Sequence, residues 1–368
     1  MKIAVLSSHT SSLFWFRMDM MKDFIKHGHT VIAVGSEPED DWKKKFEEYN
    51  IDYRQLYVER NGMNPLKDLK TLRLLCTFME KERPDKVFAY QAKTVVYGSI
   101  AAKLNGVSEV YPLIAGLGSI FRGKGFKNKI VKTIMKIEYW AACKCSKKVF
   151  FQNQDDKNEF IQNGLVKDKN TVIINGSGVD LEKFKPTQFP EEPAFLYIGR
   201  LIKDKGIVEY LEACKEVKDK HPKVRCLLVG PFDSNPSALK PDELKPYIES
   251  GVIEYFGEQS DVRPFISQCS TYVLPSYHEG TPKTVLEAMA MGRSIITSDA
   301  PGCRETVIEG LNGYLVKVKD IKELTNRMEY LISNRELCTN MGQESSKIAT
   351  EKYDVKVVNK SIIQTMDL

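Results

Sequence analysis

The chain has 368 residues, 42% of them apolar and 28% charged, so it is too long for one ordinary core and too evenly composed for a disordered or fibrous polypeptide. No apolar run reaches the roughly 18 residues that a membrane-spanning helix needs, and the apolar start, Met1 to Leu6, is too short for a signal-peptide core. The net charge of +5 is uneven: residues 1–185 carry +9 and the remainder −4, which points to an anionic partner for the first half, whether lipid surface, diphosphate or nucleic acid.

In chain order, short β-branched and aromatic runs alternate with longer amphipathic stretches, the pattern of a parallel α/β sheet with crossover helices. Strands are predicted at 2–7, 30–35, 53–58, 86–90, 109–114, 148–152 and 171–174, with helices at 16–27, 40–49, 65–82, 94–105, 127–142 and 155–162. The polar, proline-bracketed stretch from Phe184-Lys185-Pro186 to Pro193 breaks the series and is the predicted boundary. A second series follows, with strands near 194–198, 224–229, 252–255, 271–274, 294–297 and 313–316. The expected domains are therefore 1–186 and 187–350. The eight cysteines are scattered, with only Cys143 and Cys145 close together. That spacing fits neither a disulfide framework nor a zinc site and suits reduced thiols in a cytosolic protein.

The densest chemical signal is Pro275-Ser276-Tyr277-His278-Glu279-Gly280-Thr281-Pro282-Lys283-Thr284-Val285-Leu286-Glu287. A strand ends at Leu274, the loop carries Glu279 and Gly280, and Thr281-Pro282 reads as an N-cap and first helical position. Such a helix start attracts phosphate. Glu279 in the loop and Glu287, about two turns into the helix, would flank it, carboxylates suited to accept hydrogen bonds from sugar and ribose hydroxyls. Taken singly, each acid reads as solvated surface. A second piece, Gly199-Arg200-Leu201-Ile202-Lys203-Asp204-Lys205-Gly206, leaves the first strand of the second series. There Arg200, as a planar fork, and Lys205, as a point charge, could hold a diphosphate.

The string from Glu279 to Glu287 resembles the paired-glutamate signature of glycosyltransferase family 4. The Gly-Arg-Leu and Lys-Gly pieces at 199–206, the continuation from Gly292 to Glu305, and Ile174 to Pro186 are similar to that family as well. The resemblance runs over about residues 1–350 and is most specific in the second half. It implies a GT-B fold, two Rossmann-like domains with parallel sheets facing a central cleft, with acceptors bound by the first domain and nucleotide-sugar donors by the second. It also implies that residues 351–368 cross back to the first domain, and that transfer occurs with retention at the anomeric carbon. Carried onto this chain, the catalytic set is Glu279, Arg200 and Lys205. The donor site adds Gly280, Thr281, Pro282 and Glu287, with Arg200 and Lys205 on the diphosphate, Glu287 on the ribose and Glu279 on the donor sugar. The acceptor hydroxyl would attack on the leaving-group face and pass its proton to a diphosphate oxygen.

Two departures stand out. The first strand-to-helix turn, Ser7-Ser8-His9-Thr10-Ser11-Ser12, lacks the paired glycines many relatives have. After the fifth strand, Leu113-Ile114-Ala115-Gly116-Leu117-Gly118-Ser119 stands where many relatives place a histidine, so no catalytic histidine is assigned there. This Gly-Leu-Gly-Ser stretch instead resembles a subgroup acting on sugars linked to polyprenyl diphosphate in capsule, O-antigen and protein-glycan assembly. The acceptor candidates are His9, Ser11, Ser12, Arg17 and Gly118.

Residues 126–148 hold seven lysines against one acid, Glu138, and Phe126, Ile130, Ile134, Ile137 and Ala141 share one helix face. That face reads either as core or as part of a dock on anionic lipid; the second reading places the protein in the cytoplasm, attached to the inner face of the cell membrane. Nucleic acid is not expected, since no zinc-finger or RNA-binding motif accompanies the charge. No Asp-x-Asp occurs in the chain, so no metal and no cofactor is expected beyond the UDP-sugar co-substrate. The resulting expectation is a hexosyl- or N-acetylhexosaminyltransferase. A nucleotide-sugar epimerase or a phosphorylase with the same paired architecture is the alternative. A nicotinamide dehydrogenase is disfavoured because Phe121 stands where a third glycine should follow Gly116-Leu117-Gly118.

Overall fold

The computed structural model describes residues 1–58, 64–117 and 126–368, with side chains of the helix that begins at Phe126 described from residue 129. Two compact α/β units result: Met1–Ser177 with Val358–Leu368, and Gly178–Val357.

The first unit is a seven-stranded parallel sheet of β1 (Lys2–Ser7), β2 (Thr30–Gly35), β3 (Asp52–Gln55), β4 (Lys86–Tyr90), β5 (Glu109–Ile114), β6 (Val149–Phe151) and β7 (Thr171–Ile173). Its order is β3-β2-β1-β4-β5-β6-β7. Between the strands run α1 (Thr10–Lys26), α2 (Glu39–Glu47), α3 (Pro65–Glu82), α4 (Ser99–Leu104), which a π-helical turn at Thr94–Gly98 precedes, α5 (Phe126–Lys144) and α6 (Gln154–Gln162). β1 is apolar from Ile3 to Leu6 because both its faces are covered. Ile3 and Val5 enter a core with Phe24, Phe88 and Phe150, whereas Ala4 and Leu6 enter the opposite one with Leu75, Met79 and Val87.

The second unit has the order β10-β9-β8-β11-β12-β13, from β8 (Ala194–Ile198), β9 (Arg225–Val229), β10 (Glu254–Tyr255), β11 (Thr271–Leu274), β12 (Ser294–Ser298) and β13 (Gly313–Val316). Its helices are α7 (Ile207–Lys220), α8 (Pro241–Glu249), α9 (Arg263–Ile266), α10 (Lys283–Ala290), α11 (Ile321–Ser333) and α12 (Arg335–Ile348). The final helix, α13 (Val355–Met366), packs Val358, Ile362 and Met366 into the core of the first unit. Buried Lys86 donates to the carbonyl of Met366, and Asn359 Nδ2 donates to Asp23 Oδ2 at 2.7 Å.

Two local expectations differ from the structure. The partition falls at Ser177/Gly178, ahead of the proline-bracketed stretch, because Phe184 enters the second unit's core. There the fully buried Arg293 also donates to the carbonyls of Thr187 and Gln188, each at 3.2 Å. α1 begins at Thr10 and not near residue 16. Its Ser/Thr-rich first turn is a weak helix former by propensity, yet buried Thr10 is pinned by a 2.8 Å hydrogen bond with Tyr53 of β3. Ser11 and Ser12 consequently lie on a helix and not in a turn, on the same helix as Arg17.

Candidate functional site

In each unit the strand order reverses between two central strands, β1/β4 in the first and β8/β11 in the second, and the carboxyl ends of such strands border the crevice where α/β sheets bind ligands. Every donor-site candidate lies at the β8/β11 reversal. Arg200 and Lys205 leave β8; Glu279 to Pro282 leave β11; Glu287 is on α10.

Two close approaches shape this edge. Gly206, at φ +74°, opens α7 so tightly against β11 that an added Cβ would lie 2.1 Å from the Pro275 carbonyl oxygen. Gly302, at φ +79°, sits beneath the loop, where a Cβ would lie 2.2 Å from the Glu279 oxygen and 2.4 Å from that of Gly280. Only glycine meets both the left-handed backbone and the contact. The amide of Glu279 also donates to the Pro301 carbonyl at 2.9 Å.

The loop thus held delivers Glu279 onto Lys205, whose Nζ lies 2.5 Å from Oε1 and 2.6 Å from Oε2. The pair is largely removed from solvent, with side-chain exposures of 10% for Glu279 and 27% for Lys205. Arg200 is more exposed and pairs with Asp233 at 2.9 Å. The Tyr197 hydroxyl, 3.3 Å from the Lys205 carbonyl, and the Tyr272 hydroxyl, 2.6 Å from Thr284 Oγ1, brace the two strand ends.

α10 starts one residue later than expected. Pro282, at ψ 111°, is its N-cap, and Thr281 is not. Proline fixes φ but leaves ψ extended here, and the Pro282 carbonyl accepts the first helical bonds, from Val285 at 3.0 Å and Leu286 at 3.3 Å. Glu287 is therefore one turn into α10, the fifth of its eight residues. It is also buried, not a surface acid, and desolvation raises its carboxyl to about 7 against the pull of Lys283 and Lys183. A carboxyl poised near neutrality in a sheet-edge site is a recurrent mark of function.

The acceptor candidates lie at the β1/β4 reversal. His9 caps α1 and shares a 2.8 Å hydrogen bond with Ser11, while Ser12 accepts from the Tyr90 hydroxyl at 3.0 Å. Arg17 lies over the Tyr90 ring, its Cζ 5.1 Å from the centroid. Gly118 lies outside the described residues. Sequence reasoning missed Tyr90, Gln91 and Asp233, whose partners come from distant elements and leave no local signal.

α5 turns the opposite way from a core-facing isoleucine stripe. Met135, Tyr139, Ala142 and Cys143 pack inward, whereas Ile130, Ile134, Ile137 and Trp140 are 41% to 61% exposed. No helix among the described residues is long and apolar enough to cross a membrane.

Comparison with known proteins decides the family. The pattern of "Glycosyl transferase 4-like" proteins matches residues 2–153, and that of "Glycosyl transferases group 1" matches residues 179–348. This chain belongs to the family 4-like glycosyltransferases. The glycosyltransferase is 28% identical, over all of its length and 98% of the relative's, to the N,N'-diacetylbacillosaminyl-diphospho-undecaprenol alpha-1,3-N-acetylgalactosaminyltransferase of Campylobacter jejuni. It is 27% identical, over 80% of its length and 78% of the relative's, to the UDP-Gal:alpha-D-GlcNAc-diphosphoundecaprenol alpha-1,3-galactosyltransferase of Escherichia coli. Among solved structures, Anabaena HepE in complex with UDP superposes with a TM-score of 0.79 at 18% identity, covering 100% of this chain and 99% of that one. Sucrose-phosphate synthase from Thermosynechococcus elongatus does so at 0.80 and 16% identity, covering 99% and 98%. The fold of the glycosyltransferase is GT-B, built from two parallel-sheet Rossmann-like units.

Proposed function

We propose that the glycosyltransferase moves a hexose or N-acetylhexosamine from a UDP-sugar to a hydroxyl of a polyprenyl-diphosphate-linked sugar in bacterial surface-glycan or glycoprotein assembly. Transfer proceeds with retention and without a metal ion. The observation that carries this reading is the Lys205–Glu279 pair, with Arg200 beside it and Glu287 buried nearby at the β8/β11 reversal.

An ammonium has three donors, so Lys205 can keep Glu279 and still reach a phosphate oxygen. Arg200, itself about half exposed and paired with Asp233, can turn its fork onto the same diphosphate. Both would stabilise the charge that grows on departing UDP, where fixed dipoles and cations act most strongly. Glu279 then orients a donor-sugar hydroxyl and Glu287 the ribose hydroxyls. The names of the Campylobacter and Escherichia relatives support the acceptor class, and the UDP of the HepE complex supports the nucleotide. The exposed isoleucines of α5, set among Lys129, Lys132, Lys136 and Lys144, support docking on anionic lipid at the inner face of the cell membrane, each basic residue adding about 1 kcal/mol.

The test is calorimetric titration of UDP in EDTA, followed by turnover of UDP-sugars with and without lipid-linked acceptor. Metal-free binding is expected, weakened by about 1–3 kcal/mol in Glu287→Ala, with turnover only when acceptor is present. Failure to bind UDP, binding that requires a divalent cation, or binding indifferent to Glu287 would each overturn the proposed site. Turnover without acceptor would favour an epimerase.

A further inference from the structure

The first unit holds a feature that the proposed donor chemistry does not use. Arg17 of α1 is only 3% exposed, and its Nε has no hydrogen-bond partner. Among the described residues no carboxylate pairs with it. A buried charge without an anion is strongly unfavourable, and a tyrosine face returns only part of what desolvation takes. Burial accordingly pulls the guanidinium down to about 10, with Tyr90 opposing.

The neighbourhood has a second irregularity. Gln91, directly after β4, adopts φ +72°, a left-handed conformation unusual for a residue other than glycine and one that clusters at ligand sites. It is over-determined: Ser7 and Ser8 Oγ donate to its Oε1 at 2.9 and 2.8 Å, and its carbonyl accepts from Val95 N at 2.8 Å. Tyr90 and Ser7 end adjacent strands where the sheet order reverses. Because Ser12 Oγ accepts from the Tyr90 hydroxyl, its own proton is left to donate.

We propose that Arg17, with Ser12 and Tyr90, is an anion receptor in the first unit that binds the diphosphate of the lipid-linked acceptor. The anion site stands on the buried guanidinium, whose Nε has no hydrogen-bond partner, and on the strained Gln91 that follows Tyr90; the choice of the acceptor as its source rests on the function proposed above. The fork of Arg17 matches two phosphate oxygens at once, which a lysine ammonium cannot do. The charge destabilises the empty protein and is neutralised when ligand arrives, a stability-for-function exchange common at binding sites.

The experiment uses the full chain, with inorganic pyrophosphate as probe and saturating UDP present to fill the donor site. Wild type should bind pyrophosphate and unfold at a higher temperature with it. Arg17→Met should be at least as stable as wild type without ligand, lose about tenfold or more in pyrophosphate affinity, and keep its UDP affinity. Arg17→Lys should fall between them. Absence of pyrophosphate binding in wild type, or equal binding in Arg17→Met, overturns the receptor. A lower unfolding temperature for unliganded Arg17→Met also overturns it, since the guanidinium would then be a structural support. If UDP displaces pyrophosphate and Arg17→Met weakens UDP instead, the anion belongs to the donor and the acceptor assignment falls. If UDP does not bind at all, the donor reading fails by itself, and pyrophosphate titration without UDP still reads Arg17.

Discussion

Glu287 makes the proposed donor site pH-dependent in a way that can be worked out in advance. Its carboxyl sits at about 7 in the folded chain against an ordinary 4.5. To accept from two ribose hydroxyls it must ionise, so UDP binding expels a proton whenever the site is protonated. At pH 5.5 only about 3% of a group with this pKa is ionised, so UDP affinity should be roughly 30-fold weaker than at pH 8, about 2 kcal/mol. The diphosphate titrates near pH 6 as well, so the reference is Glu287→Gln, in which the ligand's proton alone remains. Calorimetry from pH 5.5 to 8, in buffers of different ionisation enthalpy, reads both the affinity and the proton released. The same shift affects stability. The folded chain holds this proton more tightly than the unfolded one, so its contribution is fully present below about pH 4.5 and is lost as pH rises through 7. The loss amounts to about 3 kcal/mol, and Glu287→Gln should remove it, gaining stability at pH 8. A UDP affinity whose pH profile matches that of Glu287→Gln, with no extra proton released, would exclude Glu287 as the ionising group of the donor site.

Two further perturbations test other parts of the structure. Gly302→Ala forces a Cβ against the Glu279 and Gly280 oxygens at a left-handed position; it should lower stability by about 2 kcal/mol or more and weaken UDP binding as the loop carrying Glu279 shifts, both readable by thermal unfolding and calorimetry. Ile134→Glu with Ile137→Glu places charge on the exposed stripe of α5; sedimentation with phosphatidylglycerol vesicles should show about tenfold or greater loss of binding with thermal stability unchanged, whereas equal sedimentation would remove α5 from the membrane contact.

Much of the architecture was legible because parallel strands buried on both faces must be written as short apolar runs separated by amphipathic crossovers. β1, β4, β8 and β11 fall where those runs lie, and the strings around Arg200–Lys205 and Glu279–Glu287 stand at strand exits. Local rules failed where distant groups intervene. Tyr53 pins Thr10 and brings the start of α1 forward, and the extended ψ of Pro282 shifts the start of α10, leaving Glu287 one turn into the helix.

The two α/β series, the sheet-edge positions of the charged strings and the excess of positive charge in the first half are readable along the chain, since they depend on periodicity and composition. Packing in three dimensions is what closes Lys205 on Glu279, buries Glu287 and Arg17, and turns the isoleucines of α5 outward. Burial and pairing are properties of neighbours, and those neighbours come from segments tens of residues away that no local pattern joins.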